Sequence, residues 1–546
     1  MIIVLQEFQT SHRESFENNF RQMQEEYTDF LSTLYVRPKD FKEKLLLACD
    51  PIVTNNPYQS EFYEDLCQLI TLFEYIEARE DITGVEVNTF QQQQILSEVI
   101  KARDPGRTIQ VFCHESKLTF WLSELYKEIK GIGLFFYTWL LFRIYASSKR
   151  REAINLNRNY ILFDTYLLKA QLNNGKFHNR YFPNEILSEI RREHEQGEIL
   201  FFPELTHDFF SKVNFRALEV SGSMFLFKHD FLLNKDFVKV LKLTMGKRLP
   251  VFNSIFKGVD LAKPIKAASS RLKLNYLMTT LNYYVVERLK SKGVKIIRFI
   301  DWWENQMIDK VTNLAMANLY PDTPVYGFMN YLVDLNYNFN ILPTKFQRDL
   351  SFAPINFLTS SKYIEDKLCD FGESFNTEII KSNRFNLISE NAVEKNNILL
   401  ILPILPSESY FILRTFQQFL KSTKIQIGIT IKLHPADCNK SDYEQLFSGY
   451  KADFTDDSLD RLYRYSNLVI SSTSSACVEA LINKIPVIIL SDARYIQNPV
   501  PFISNNKMYR KVDNIQDLKL AVDNFMDPSF LFDGRIALEL KKMFIS

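Results

Sequence analysis

Short apolar runs alternate along this chain with longer stretches whose apolar residues recur at helical spacing. Side chains repeat every two residues in a strand and every 3.6 residues in a helix, so this order predicts alternating strands and helices. The predicted strands are 2–5, 84–88, 108–113, 159–167, 223–227, 294–300, 324–329, 355–359, 397–402, 468–470 and 487–490, with another beginning at 199. The main predicted helices are 15–34, 61–78, 91–102, 131–147, 272–290 and 360–371, with two more within 515–544. This succession is typical of α/β folds with parallel sheets.

The clearest chemical signal lies in the last third of the chain. An alternating run from 425 ends abruptly at His434 and Pro435, as expected for a strand that enters a loop. Further on, the strand 468–470 enters a turn rich in hydroxyl groups, and a helix follows. Free backbone amides and the helix dipole favour an anion at such a turn. The residues concerned are Ser471, Ser472, Thr473, Ser474 and Ser475.

This constellation resembles the nucleotide-binding half of GT-B glycosyltransferases, and more narrowly the bacterial sialyltransferases and Kdo transferases that use CMP-activated sugars. Those families carry a His-Pro motif and a downstream Ser-Ser/Thr motif. The resemblance implies that His434, Pro435 and the residues 471–475 contact the nucleotide. Glu479, on the following helix, is compatible with a ribose contact. An ordinary loop histidine and an N-cap formed by the serines are the alternatives that the residues leave open.

A second signal follows the predicted strand 294–300, where Asp301, Trp302, Trp303 and Glu304 stand together. Apolar walls raise the pKa of a carboxyl group and suit it to proton transfer, and a tryptophan face can stack on a sugar. We therefore take Glu304 as the first candidate for a catalytic base and Asp301 as the second, with both tryptophans as acceptor-binding candidates. A charge at a helix N-terminus is the alternative for Glu304. The passage 303–306 and 325–327 also resembles bacterial surface-polysaccharide biosynthesis proteins, although Phe328-Met329 replaces their Gln-His.

Two further positions enter the prediction. His114 follows the strand 108–113 and is a third acceptor-binding candidate, with an ordinary surface histidine as the alternative. The run 131–147 is apolar and aromatic, and the basic cluster 149–151 follows it. It is short for a bilayer span and contains Arg143. It therefore suits a membrane-interfacial helix next to anionic headgroups, or else a buried core helix with a solvated basic end.

The composition of the chain argues against several classes of function and binding site. The net charge of +1 gives no general field for nucleic acid. Only 15 glycines are present and no G-x-G-x-x-G pattern occurs, which argues against a glycine-rich phosphate loop. The six cysteines form no C-x-x-C pair, so neither a zinc site nor a disulfide framework is indicated. We expect no metal and no cofactor. The first residues lack a basic region and a cleavage site, which favours a cytoplasmic protein, with peripheral attachment to the inner membrane as an added expectation.

The combined prediction is a GT-B-like α/β protein with two doubly wound Rossmann-type domains that face a cleft, the first carrying the interfacial helix. Residues 1–385 would form the acceptor domain and 386–546 the donor domain, whose last helices pack back across the interface. The expected activity is metal-independent sugar transfer from a nucleotide sugar, CMP-linked by resemblance, to a glycan or lipid-linked acceptor in capsule or lipopolysaccharide O-antigen synthesis. A nucleotide-sugar 2-epimerase, a CDP-polyol phosphotransferase and a non-catalytic scaffold of the same fold are the alternatives.

Overall fold

The fold is taken from a computed structural model of the 546-residue chain. It describes all residues except 55–59, 168–170, 174–175, 178, 180, 183, 194–196, 206–208, 246–248, 269–272, 372–374, 381–395, 424–426, 436–438, 492–499, 501–506 and 545–546. The predicted domain boundary between 385 and 386 therefore lies outside the described residues.

The amino-terminal region forms a small sheet of its own. Its three parallel strands are β1 Ile2–Val4, β2 Gly84–Val87 and β3 Gln110–Cys113, in that spatial order. The helices of this region are α1 Leu5–Ser11, α2 Arg13–Gln22, α3 Gln24–Leu34, α4 Phe41–Ala48, α5 Pro51–Thr54, α6 Phe62–Glu77 and α7 Phe90–Arg103. The predicted first strand is confirmed, but it does not belong to a large doubly wound sheet as we expected.

The middle of the chain builds a six-stranded sheet. Its strands and two small hairpins are β4 Asn159–Leu167, β5 Leu172–Asn173, β6 Lys176–Phe177, β7 Gly197–Leu205, β8 Ile255–Phe256, β9 Val259–Asp260, β10 Lys295–Trp302, β11 Val325–Met329, β12 Asn356–Thr359 and β13 Asn376–Ile379. The helices are α8 Lys117–Tyr145, α9 Ser148–Glu152, α10 Asn184–Glu193, α11 Lys212–Val220, α12 Lys228–Phe231, α13 Asn234–Thr244, α14 Ala262–Ala268, α15 Leu274–Ser291, α16 Met307–Leu319, α17 Lys345–Asp349 and α18 Lys362–Phe371.

The spatial order of this sheet is β13-β12-β11-β10-β4-β7, and the pairs β4/β7, β4/β10 and β10/β11 are parallel. If the six strands are numbered by their order in the chain and read across the sheet from β7, they stand in the order 2-1-3-4-5-6, as in flavodoxin-like sheets. The topological switch point, where successive connections leave in opposite directions, lies between β4 and β10. Side chains of both strands are buried almost throughout, as expected for a parallel sheet covered on both faces.

The carboxyl-terminal region forms a second six-stranded parallel sheet. Its strands are β14 Asn397–Ile401, β15 Gly428–Lys432, β16 Asp453–Thr455, β17 Leu468–Ser471, β18 Val487–Leu490 and β19 Tyr509–Val512. Its helices are α19 Pro406–Ser422, α20 Lys440–Leu446, α21 Leu459–Tyr463, α22 Ala476–Ile482, α23 Ile515–Met526 and α24 Gly534–Phe544. The order β16-β15-β14-β17-β18-β19 is the 3-2-1-4-5-6 order of a dinucleotide-binding sheet, with its switch point between β14 and β17.

Alternate residues of the same strands enter two separate cores, which makes this sheet doubly wound. Leu399 of β14 belongs to the core shared with α22 and α24, while its neighbour Leu400 belongs to the core shared with α19 and α23. Period-two alternation on a sheet that is covered on both sides produces this division. The predicted doubly wound donor region is confirmed.

The chain divides into two compact units. The first comprises Met1–Met329, Phe339–Leu358 and Lys367–Glu378, and the second comprises Asn330–Asn338, Thr359–Asp366 and Ile379–Ser546. Both units are α/β structures built on parallel strands. Within the described residues, none of the helices combines the length and the apolar composition needed to cross a membrane.

Two local predictions are wrong. Residues 223–227 form no strand, because only Phe225 pairs, through a single bridge to Phe201. The apolar run 131–147 is the second half of a helix that begins at Lys117 after the cap Ser116. Only one face of that helix is buried, so it is not the core helix of the alternative interpretation.

Candidate functional site

In the first unit, the switch point is occupied by two carboxyl groups on neighbouring strands. Phe163 of β4 is paired with Ile300 of β10, so the next residues, Asp164 and Asp301, stand side by side. Both are buried, Asp301 completely. The open crevice beside such a point is where α/β sheets of this type bind their ligands. The predicted carboxylate Asp301 is thus joined by a partner, Asp164, to which the sequence assigned no role.

Two buried carboxyl groups this close repel each other when both are charged, which favours a state in which one of them keeps its proton. Asn313 Nδ2 donates to Asp301 Oδ2 over 2.6 Å. Burial raises the pKa of Asp301 well above its ordinary value, and the nearby carboxylates Asp309 and Asp164 add to this effect. Burial also raises the pKa of Asp164, while Lys228 acts in the opposite direction.

Glu304 is held at the start of the loop that follows β10. Trp302 Nε1 donates to its Oε1 over 2.8 Å, and Gln306 Nε2 donates to its Oε2 over 2.5 Å. The hydroxyl of Tyr166, at the end of β4, donates to Gln306 Oε1 over 3.1 Å. Glu304 is only partly buried, whereas Asp301 is completely buried. Of the two predicted carboxylates, Glu304 is therefore the more exposed.

Asp309 of α16 fixes the loop around Glu304. One oxygen of Asp309 accepts from the backbone amides of Glu304 and Gln306, both at 2.9 Å. Burial raises the pKa of Asp309, and these two amides oppose that change. Lys310 Nζ donates to the carbonyl of Asn305, whose φ of 55° is rare for a residue other than glycine. Together these hydrogen bonds hold the loop, and with it the Glu304 carboxylate, in one position.

A cavity of about 300 Å³ lies at the end of β7, beside this cluster. Its polar lining includes Glu204, Lys228 and His229, and Lys228 forms an ion pair with Glu204. Burial lowers the pKa of Lys228, while nearby Asp164 acts in the opposite direction. Burial also lowers the pKa of His229 to about 3, so this ring is neutral. Asp301, Asp164, Lys228 and Glu204 therefore form a continuous ionisable cluster across three strands of the sheet.

In the second unit, the switch point between β14 and β17 carries the predicted hydroxyl-rich turn. Ser471 is the last residue of β17, and its Oγ donates to the carbonyl of Ile401, the last residue of β14, over 2.6 Å. This bond holds the two strand ends together at the switch point. The turn then leads directly into α22, whose first amides already donate nearby: Ala476 to Ser474 Oγ, Cys477 to the Ser474 carbonyl, and Val478 to the Ser475 carbonyl.

Glu408 was not predicted, and it organises the turn. This residue lies in the first turn of α19, is almost completely buried, and accepts hydrogen bonds from two hydroxyl groups. Ser472 Oγ donates to Glu408 Oε2 over 2.7 Å, and Thr473 Oγ1 donates to the same oxygen over 2.6 Å. The sequence suggested that these hydroxyls donate to a phosphate. In the structure the protons of both hydroxyls are donated to Glu408 instead.

The other predicted nucleotide-binding residues lie around the same sheet edge. His434 and Pro435 follow β15, the strand next to β14, and both are partly exposed. Ser474 and Ser475 complete the turn, and the Oγ of Ser474 accepts from the amide of Ala476. Glu479 is partly buried on α22, one turn into the helix. Ser475 is the N-cap residue of α22, but its side chain forms no capping hydrogen bond.

Three predicted acceptor-binding residues are placed differently from our expectation. Trp303 is completely buried, and its Nε1 donates to the carbonyl of Ile341 over 2.7 Å, so neither face of its ring is open to a sugar. Trp302 is also buried, with its ring against Tyr181 and Phe182, and it acts on Glu304 through its Nε1. His114 belongs to the separate three-stranded region, where it is exposed and its Nε2 lies 2.6 Å from Glu86 Oε1.

Comparison with known proteins gives no family assignment: no family model matches the chain, and no curated protein matches its sequence. Solved structures similar to it include a UDP-N-acetylglucosamine 2-epimerase, with 9% identity, a TM-score of 0.40, and coverage of 71% of this chain and 92% of that one. Another is the glycosyltransferase SnogD from Streptomyces nogalater, with 11% identity, a TM-score of 0.38, and coverage of 71% and 96%. A third is the lipopolysaccharide outer core galactosyltransferase WaaB, with 11% identity, a TM-score of 0.37, and coverage of 70% and 95%. Similarity at this level carries no argument, so the description of the fold rests on the strand orders of the chain itself.

Proposed function

We propose that this protein is a glycosyltransferase of the GT-B type, which moves a sugar from a nucleotide donor to a glycan or lipid-linked acceptor during assembly of a bacterial surface carbohydrate. One observation carries the proposal: each unit has a parallel sheet whose switch point bears polar side chains suited to one half of the reaction. The second unit offers a hydroxyl-rich turn for a nucleotide, and the first offers carboxylates for proton transfer.

The donor is assigned to the switch point between β14 and β17. Sugar transfer breaks the bond between the anomeric carbon and a phosphate oxygen, and the negative charge that develops on that oxygen must be stabilised. We assign this task to the turn between β17 and α22, and His434 lies at the end of β15, the strand next to β14. Glu408, which accepts from Ser472 and Thr473, keeps the turn in place. No metal is part of this proposal, and CMP remains the expected nucleotide from the resemblance of the motifs.

The acceptor side is assigned to Glu304. In the proposed step the acceptor oxygen forms a bond to the anomeric carbon, the nucleotide leaves with the bonding electron pair, and the acceptor proton passes to a base. The carboxylate of Glu304 is partly exposed and fixed by Trp302 and Gln306, so it meets the positional requirement for that base. Asp301 is completely buried beside Asp164, so we assign it a positioning role rather than direct proton transfer.

Binding of a nucleotide panel tests the donor assignment. We expect calorimetry to detect CMP in preference to CDP, UDP and GDP, and thermal shift to show stabilisation of about 2.7 kcal/mol at a hundred times the dissociation constant. The His434→Ala variant should lose this binding, and the matched control His12→Ala, far from both sites in sequence, should retain it. Preference for UDP or GDP would keep the class and overturn the CMP donor. Binding of none of them would overturn the proposal in favour of a non-catalytic scaffold.

Turnover of the matching sugar donor tests the acceptor side. Glu304→Gln should abolish release of free nucleotide from the donor while leaving nucleotide affinity unchanged, because the lost group acts only on the acceptor proton. Glu444→Gln, at an exposed helix position in the second unit, is the control and should turn over normally. Near-normal turnover by Glu304→Gln would remove this residue from the role of base. Inversion of the sugar at C2 without transfer would instead identify a nucleotide-sugar 2-epimerase.

A further inference from the structure

The long helix α8 presents an apolar face that the first unit does not cover. Its 29 residues span about 43 Å at 1.5 Å per residue. One side of the helix packs against α12 and α15 through buried residues that include Phe120, Phe135 and Phe142. The opposite side carries large apolar residues that are 47–69% exposed: Leu118, Trp121, Leu122, Leu125, Tyr126, Ile129, Phe136, Tyr137, Leu140 and Ile144.

This face is a continuous patch rather than scattered exposure. Of the 28 exposed large apolar side chains among the described residues, ten belong to α8. At 100° per residue, the aliphatic residues Leu122, Ile129 and Leu140 fall near the centre of the exposed arc. Patches of this extent on a folded protein indicate an interaction surface.

The edges of the patch are aromatic. Trp121 and Trp139 are 18 residues apart, about five turns, and so share one edge of the face. Tyr126 and Tyr137 are 11 residues apart, about three turns, and share the opposite edge. Tryptophan and tyrosine concentrate at membrane–water boundaries, because their rings are apolar on one side and polar at the tip. An aliphatic centre between aromatic edges is the arrangement of a helix that lies in the plane of a bilayer surface.

The charges of the helix complete this arrangement. Glu124 is buried and paired with Lys127 and Lys273 on the inner side, so its charge does not face outwards. Lys130 and Arg143 are exposed and border the apolar patch. The short helix α9, which follows at once, adds Lys149 and Arg151 against the single acidic residue Glu152, while Arg150 forms an ion pair with the buried Asp230. A basic border around an apolar face complements the anionic headgroups of a lipid surface.

We propose that the first unit binds the surface of an anionic lipid bilayer through the outer face of α8, with the helix axis in the plane of the interface. A second copy of the chain is the competing occupant. Paired helices use a narrow seam of two positions in seven, whereas the exposed apolar arc here is wider and bordered by like charges. These features favour a flat, negatively charged partner over a second copy of the same basic face.

Sedimentation of the full chain with lipid vesicles tests the proposal. We expect binding to vesicles of phosphatidylcholine with phosphatidylglycerol, and weaker binding to phosphatidylcholine alone. The double variant Leu122→Asp/Leu140→Asp should lower the partition coefficient by about tenfold for each substitution, since both side chains leave the apolar interior of the interface. The matched control is Leu520→Asp/Leu538→Asp, which changes two equally exposed leucines on α23 and α24 and should bind like the wild type.

A charge variant separates lipid binding from general stickiness. Lys130→Glu/Lys149→Glu should remove the preference for phosphatidylglycerol, and binding of the wild type should weaken as salt is raised. Failure of the wild type to bind either vesicle, or equal losses in the Leu122/Leu140 variant and its control, would overturn the proposal. A wild-type dimer that the Leu122/Leu140 variant converts to monomer without any vesicle binding would overturn it in favour of a second copy. None of these measurements involves sugar transfer, so their outcome is independent of the proposed function.

Discussion

Replacing Asp301 with Asn is predicted to make the stability of the first unit less dependent on pH. Asp301 and Asp164 are buried on adjacent strands, and burial raises the pKa of both, so we expect the folded pair to keep a proton. The unfolded chain releases that proton above about pH 4. Because the folded pKa of Asp301 is raised, the folded protein binds more protons than the unfolded chain between the two pKa values, and its stability falls as pH rises through that window.

The size of the effect follows from the single proton that we expect the pair to keep. One proton corresponds to about 1.4 kcal/mol for each pH unit over which the folded protein holds it and the unfolded chain does not. Asn at position 301 keeps an oxygen for the 2.6 Å hydrogen bond from Asn313 and can donate to Asp164 without binding a proton. As pH rises, the variant should therefore lose less stability than the wild type, by about that amount for each pH unit. It should be the more stable of the two proteins at pH 7.

Tryptophan fluorescence during urea unfolding measures this effect in the first unit alone. All four tryptophans, Trp121, Trp139, Trp302 and Trp303, belong to that unit. Wild type, Asp301→Asn and the exposed-site control Asp322→Asn would be compared at pH 5, 6 and 7. Groups that do not interact with Asp301 affect all three proteins alike, so the difference between the curves reports on Asp301 and the carboxyl groups coupled to it. Parallel curves for wild type and Asp301→Asn would refute the retention of a proton by Asp164 and Asp301.

Two further substitutions in the first unit test its packing and its buried charges by the same fluorescence measurement. Gly327→Ala should destabilise the unit by about 1–3 kcal/mol, because the new Cβ would lie 2.5 Å from Cε1 of Phe357. In the control Gly133→Ala, on α8, the new Cβ meets no atom within 4 Å, and the change should stabilise the helix by up to about 1 kcal/mol. Equal effects of the two substitutions would contradict the contact with Phe357. Arg288→Met should cost about 3–5 kcal/mol, because it leaves the completely buried carboxylate of Asp236 without the guanidinium that donates to it over 3.0 Å. Asp236→Asn in the same chain should restore part of that loss, and a cost below about 1 kcal/mol would count against a charged Asp236 in the folded state.

Local patterns in the sequence were sufficient to identify the α/β class and the strands that lead to both candidate sites. The run predicted at 294–300 is β10 Lys295–Trp302, and the run predicted at 468–470 is β17 Leu468–Ser471. A parallel strand that is covered on both faces is a nearly continuous apolar run, and this signal is contained in a few consecutive residues. The hydroxyl-rich turn could be predicted for the same reason, because it stands between such a run and a helix.

The sequence predictions failed where the same apolar residues suit more than one structural environment. Residues 223–227 are as apolar as a strand, but their phenylalanines pack into a side cluster and only Phe225 forms a bridge. Trp303 was assigned to a sugar because an aromatic ring beside a carboxylate fits a binding site, yet the same ring fills the core completely. In α8, the sequence could not distinguish a buried from an exposed apolar face, since both require the same residues. Burial depends on what lies opposite, and the local sequence does not contain that information.

The pairings that define the candidate sites were decided only by the tertiary structure. Glu408 meets Thr473 across 65 residues, and Asp164 meets Asp301 because β4 and β10 are neighbours in the sheet. The sequence determined that each of these polar residues stands near the end of a strand or the start of a helix. The spatial order of the strands then determined which ends adjoin, and that order results from packing and crossover connections over the whole unit. For this reason the sequence could propose the chemical groups, while the sheet topology selected their partners.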